Sequence, residues 1–232
     1  MNSDPPNDVQ FDKTFFDNLK QFVTELKTKP VTPEVGLYVN ATSMMYYSNN
    51  PNVPGWFNFA DWMNDLMDYY IIGFDKFNPC NDQFKSGIVP LNDSNVQTNN
   101  TLTAFANVLK SSNIAKDKIY LEFSVSPITD PEISDNIPKC YVSYKKYCDP
   151  DNTQKYDLYW CADNADSFFQ KGKFASDIKA KGIVAKNIDL SDPTGNCGCD
   201  NQNQFITFSM ILRGFLNQAP ITDCEKLKNT AI

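Results

Sequence analysis

Histidine is absent from this chain of 232 residues. Its absence removes the commonest general base, every Ser–His or Cys–His nucleophile pair and most zinc sites. Any chemistry done here therefore falls to carboxylates. A basic stripe with interleaved aromatics is missing too. Lys and Arg number 21 against 28 Asp and Glu, and the net charge of -7 argues against a nucleic-acid partner. No apolar run approaches the length that spans a bilayer, so no membrane partner is expected. Met1-Asn-Ser-Asp-Pro-Pro-Asn-Asp lacks a charged-then-apolar leader. Neither a metal nor a cofactor is expected: Cys197-Gly-Cys199 is accompanied by no CxxC partner and no histidine.

What is present belongs to a globular chain, with 41% hydrophobic and 13% aromatic residues. The stretch Asp61 to Asp75 sets the pattern for the rest. Phe59, Trp62, Met63, Leu66 and Met67 recur at helical steps, with Asn58 placed to cap them. Tyr69 to Phe74 then reads as a strand, leaving Asp75 at its carboxyl end, where parallel α/β folds bind ligands. Upstream, a helix is expected over Asp12 to Lys27, with Phe15, Phe16, Leu19, Phe22, Val23 and Leu26 on one face. A strand near 35–39 and a long irregular loop from Thr42 to Phe57 follow. Downstream come a helix through Leu102 and Leu109, a strand at 119–125, and a helix from Ala165 to Lys181 that stops at Gly182. A strand at 183–189 and a final helix over Gln204 to Asn217 complete the order. Alternation of this kind predicts four parallel strands in sequential order within a single domain, 1–232, with residues 126–163 as a cysteine-containing insertion.

Seven cysteines (80, 140, 148, 161, 197, 199 and 224) fall in predicted loops or at element ends, a placement that suggests disulfides and an oxidising compartment. Bridges are expected among Cys140, Cys148, Cys161, Cys197, Cys199 and Cys224, with Cys80 as the odd thiol. Asn40-Ala-Thr42, Asn92-Asp-Ser94 and Asn99-Asn-Thr101 are glycosylation sequons. A chain of secreted type with no leader and an odd cysteine reads as part of a longer extracellular protein.

Taken together, these runs resemble the family-18 glycoside hydrolases, the chitinases. Asp68-Tyr-Tyr-Ile-Ile-Gly-Phe-Asp75 is similar to that family's V-D-x-I-N-x-M-T-Y-D strand, and Asp117-Lys-Ile-Tyr-Leu-Glu-Phe-Ser-Val125 to its D-K-[IVL]-x-L-G-[IVL]-P-x-Y-G strand. Ser176 to Asp192 resembles the last helix and strand. The resemblance implies an α/β fold, a parallel TIM-type β/α barrel represented only by its last four strands and their helices. It also implies a ligand, chitin or another N-acetylglucosamine oligosaccharide, and a partner in the missing amino-terminal half-barrel. The family's acid-bearing D-x-x-D-x-D-x-E strand does not occur here, so no catalytic residue is assigned. Three cleft positions depart from the family as well. Its hydroxyl-bearing Tyr falls on Phe74, its stacking Trp on Lys186, and the Tyr of P-x-Y on Ser126; Asp75 is retained. With Trp56, which follows Pro54-Gly55 in a loop, these are the cleft candidates.

Period-two alternation places Ile119, Leu121, Phe123 and Val125 outward under helices, and Tyr120, Glu122 and Ser124 inward. Val184, Lys186 and Ile188 share the inward face of the last strand, which predicts a structural Glu122–Lys186 ion pair. The function expected is that of a secreted chitinase-like protein, non-catalytic as it stands. The alternatives are a fragment of an active chitinase whose acid lies upstream of Met1, and a structural or interaction module on the same scaffold.

Overall fold

The computed structural model describes residues 13–48, 63–92, 98–129, 142–149, 151, 161–199 and 204–227. Ten elements order them: α1 (Lys13–Lys27), β1 (Gly36–Asn40), α2 (Ala41–Ser48), β2 (Tyr69–Gly73), α3 (Leu102–Ser111), β3 (Ile119–Ser124), α4 (Tyr144–Tyr147), α5 (Ala165–Asp177), β4 (Gly182–Lys186) and α6 (Ile206–Phe215). The four strands form one sheet in the order β1-β2-β3-β4, every pair parallel. This is the arrangement expected from the alternation, and it makes the molecule a partial TIM-type barrel.

Burial alternates along the strands as the side-chain period requires. Ile119, Leu121 and Phe123 are buried while Tyr120, Glu122 and Ser124 are half-buried; Tyr70 and Ile72 are buried beside them on β2. The buried set meets the helices. Thr101 caps α3 through its hydroxyl on Ala104 N (3.0 Å), and the helix presses Leu102, Phe105 and Leu109 into the core. Asn164 caps α5 on Ser167 N (2.7 Å). Helices α5 and α6 touch backbone to backbone: a β-carbon on Gly172 would overlap Ile211 O, and one on Gly214 would overlap Phe169 O. Val23 of α1 is buried, but Phe22 is 58% exposed, so the apolar face of α1 is narrower than its sequence suggests.

Several expected boundaries move. The loop expected from Thr42 begins instead as α2, because Asn40 Oδ1 accepts from Thr42 N (2.8 Å) and Ser43 N (3.3 Å) and starts a helix directly after β1. Asn58 and Trp62 lie outside the described residues; Met63 to Met67 form one turn, Met67 N donating to Met63 O at 2.9 Å. Strand β2 ends at Gly73 and β4 at Lys186, where Asn187 turns left-handed (φ 61). The left-handed stop after α5 is Lys179 (φ 59) and not Gly182, which opens β4 with the Tyr120 ring lying across it.

Three disulfides join Cys80 to Cys161, Cys148 to Cys197 and Cys199 to Cys224. The expectation that Cys80 is the odd thiol is thereby corrected. It follows β2, its partner follows β3, and neighbouring parallel strands bring those two segments together. Cys140 lies outside the described residues. Among the described residues no helix is long and apolar enough to cross a membrane.

Candidate functional site

The half-buried inner face of the sheet is layered by its register. One layer runs Tyr38, Ile71, Tyr120, Gly182; the next runs Asn40, Gly73, Glu122, Val184. A third pairs Ser124 with Lys186, and Asp75, two residues beyond Gly73, reaches the same level from the turn after β2. Polar groups therefore gather toward the carboxyl end of the strands, the end at which such sheets bind ligands.

Two contacts dominate this face. Lys186 Nζ forms an ion pair with Asp75 Oδ2 across Ser124, the two side chains being 38% and 37% exposed. Tyr38 donates its hydroxyl to Glu122 Oε1 at 2.9 Å, spanning from β1 to β3 over Gly73. A β-carbon at Gly73 would overlap the Tyr38 hydroxyl, so the bond needs glycine there. Burial, then the bond to Glu122 and the charges of Glu122 and Asp75, push the Tyr38 phenol well above its ordinary value of 10.0. It stays a donor across the physiological range. Nearby, Ser124 and Ser126 hydroxyls lie 2.9 Å apart, Asn187 donates to Ser126 Oγ at 3.1 Å, and Asn40 Nδ2 reaches the Asp75 carbonyl at 3.4 Å.

Asp75, Lys186 and Ser126 lie together at the strand ends, with Glu122 one layer below. The expected Glu122–Lys186 pair is corrected: Lys186 is in register with Ser124 and takes Asp75, while Glu122 opposes Val184 and takes Tyr38. Phe74, expected as a cleft candidate, is not on the inner face. It is 3% exposed on the helix side, stacked on Phe123 (5.1 Å between centroids) and edge-on to Phe77 and Phe105. With Gly73 turned inward, alternation sends Phe74 outward. Trp56 lies outside the described residues. Tyr38 and Asn187 are not singled out by the sequence, and Asn40 only as part of a glycosylation sequon, although a glycine inside an apolar strand signals a close approach such as that of Tyr38 to Gly73.

The chemistry available is that of an acceptor-rich, partly neutralised surface: two carboxylates, one held by an ammonium and one by a phenol, with serine and asparagine amphoteric groups beside them. Among the described residues no cluster of His, Cys, Asp or Glu could hold a metal ion.

Four parallel strands in sequential order, with polar groups gathered at their carboxyl ends, form part of a β/α barrel. No protein-family model matches the chain, and no curated protein does. Solved structures do match. A variant of Ostrinia furnacalis Group II chitinase catalytic domain 2, in complex with the chitin oligosaccharide (NAG)5, superposes with a TM-score of 0.64 at 11% identity, over 94% of this chain and 63% of that one. Ostrinia furnacalis Group IV chitinase in complex with allosamidin gives 0.61 at 13% identity, over 92% and 65%. The Trichuris suis immunomodulatory active chitinase TsES1 gives 0.58 at 12% identity, over 85% and 62%. The fold is therefore chitinase-like, and the chain spans less than two thirds of the length of the chitinases it matches.

Proposed function

We propose that this chain is part of a secreted chitinase-like protein whose inner face meets an N-acetylglucosamine oligosaccharide weakly, if at all, and does not hydrolyse it. One observation carries this reading: Lys186 occupies the strand-end position where the resemblance places an aromatic sugar platform, and its ammonium group is paired with Asp75, the one retained cleft residue. A cation at that place offers no stacking surface, and the paired carboxylate is engaged before any sugar arrives. No described carboxylate stands in for the missing D-x-x-D-x-D-x-E acid, since Glu122 sits mid-strand with its oxygen taken by Tyr38. Loss of general acid catalysis typically slows a reaction by about 10²–10⁴-fold. The three disulfides support an extracellular setting for this protein.

The test is incubation of the chain with chitin hexaose, with products read by mass spectrometry and binding by calorimetry. No cleavage and weak or absent binding are expected, and Lys186→Trp should strengthen binding. Turnover that vanishes in Glu122→Gln would make Glu122 an acid and overturn the proposal.

A second reading is favoured by coverage: the chain spans 63% and 65% of two of the chitinase chains it matches, so an acid carried elsewhere in a longer protein would complete an active barrel. Expression of the longest coding sequence containing this chain, assayed on the same hexaose, separates the two.

A further inference from the structure

On the helix side of the sheet, away from the inner face, α3 and α5 leave a groove of about 600 Å³ between them. That volume is in the range of small-molecule sites. Its floor is apolar: Ala106 and Leu109 come from α3, Phe174 from α5, and Ile178 from the turn after it. Among the described residues its rim carries four lysines, Lys110, Lys116, Lys173 and Lys179, against one carboxylate, Asp177. In a chain of net charge -7, a local excess of cations is opposite in sign to the molecule as a whole. All four lysines are exposed, and none of their ammonium groups has an ion pair or hydrogen bond with a described residue.

One of the four stands where local preference opposes it. Lys179 holds a left-handed backbone (φ 59), a conformation that favours glycine or asparagine. A lysine at this turn is not explained by the turn, but it does complete the cationic rim.

We propose that this groove binds an organic anion with an apolar body: a hydrocarbon or aromatic portion lies on Leu109, Phe174 and Ile178, and a carboxylate, sulfate or phosphate group is held among the lysines. A bare inorganic anion would leave the floor unused, and a neutral apolar molecule would leave the ammonium groups unanswered. The site is independent of the carbohydrate reading, since no residue is shared between the two faces.

The probe is monomeric dodecanoate, titrated calorimetrically into the full chain, with dodecanol and sodium sulfate as separate controls. Saturable binding of dodecanoate at one site, tighter by about tenfold or more than either control, is expected, and so is weakening by salt. The double variant Lys110→Ala/Lys173→Ala, both at exposed helix positions, should weaken binding by about tenfold without moving the melting transition. Ala106→Trp should block the groove; if that variant proves unfolded, the lysine pair decides. Equal binding of dodecanol, equal binding of sulfate, or indifference to the lysine pair would each overturn the proposal. Co-sedimentation with phosphatidylglycerol vesicles distinguishes a bilayer source of the same chemistry from a free one. Sedimentation without dodecanoate binding would also overturn it, because the groove would then not be a small-molecule site.

Discussion

Two polar contacts share the inner face of this sheet, and their surroundings set very different worth on them. The Asp75–Lys186 pair has both side chains more than a third exposed. Such pairs contribute about 0–1 kcal/mol, because water already screens the charges and two long side chains must be held still. The Tyr38–Glu122 bond is tied to the packing beneath it, since the Tyr38 ring lies across Gly73. Lys186→Ala should therefore shift the urea midpoint little, whereas Gly73→Ala must push Tyr38 off Glu122 and should cost about 1–3 kcal/mol. Matching losses in the two variants would show that the face is not organised around Tyr38. The sequence made the faces of these residues legible but not their partners. Period-two alternation assigns Glu122 and Lys186 to the same side, yet a shift of two residues along either strand preserves that side and changes the layer. Only the register, Ser124 opposite Lys186, decides between Glu122 and Asp75 as the partner.

At the level of elements, the strands were legible because their burial alternates or runs continuously, and the helices where an apolar face recurs beside a cap. Helix α2 escaped because its start depends on Asn40, whose side chain belongs at once to a strand end and a helix cap. Gly182 was misread as a helix stop for a related reason: a glycine needed for close approach to Tyr120 looks the same in sequence as one needed for positive φ. Asp68, the first residue of the run compared with the family strand, takes Lys27 Nζ from the end of α1 at 2.9 Å and accepts from Val35 N at 2.7 Å. It thereby clamps the entries to β1 and β2. The Lys27 bond first, then the Val35 bond, holds the Asp68 carboxyl below its ordinary value of 3.8. A carboxyl shifted in this direction contributes stability above its unfolded value and loses it as pH falls through the native one. Asp68→Asn should accordingly speed amide hydrogen exchange in β1 at pH 6, and wild type should approach the variant only on acidification below the ordinary carboxylate range. Equal exchange at pH 6 would remove Asp68 from this role.

Across the whole molecule, the parallel order was written in the alternation of helix and strand, while the cross-links could be assigned only in three dimensions. Cysteine spacing does not determine pairing. The sheet does: the segment after β2 is bridged to that after β3 through Cys80–Cys161, and the latter to the loop after β4 through Cys148–Cys197. Cys199–Cys224 then ties that loop to the segment after α6. The bridges form a covalent series along the carboxyl side of the sheet, the side that carries Asp75 and Lys186. They enclose sequence separations of 81, 49 and 25 residues, for which the loop-closure account gives roughly 3.5–4.5 kcal/mol each, against about 5–15 kcal/mol of stability for a domain. Among the described residues β1 and β4 each have a strand on one side only, which makes these bridges a large share of what holds the sheet together. Reduction should therefore lower Tm by on the order of 10 °C or more. The loss should also be uneven. Hydrogen exchange with and without reductant should quicken in 74–92, 142–149 and 187–199 and change least in α1 and β1, which carry no cysteine. An unchanged Tm, or faster exchange spread evenly through α1 and β1, would mean that the bridges do not organise this end of the sheet.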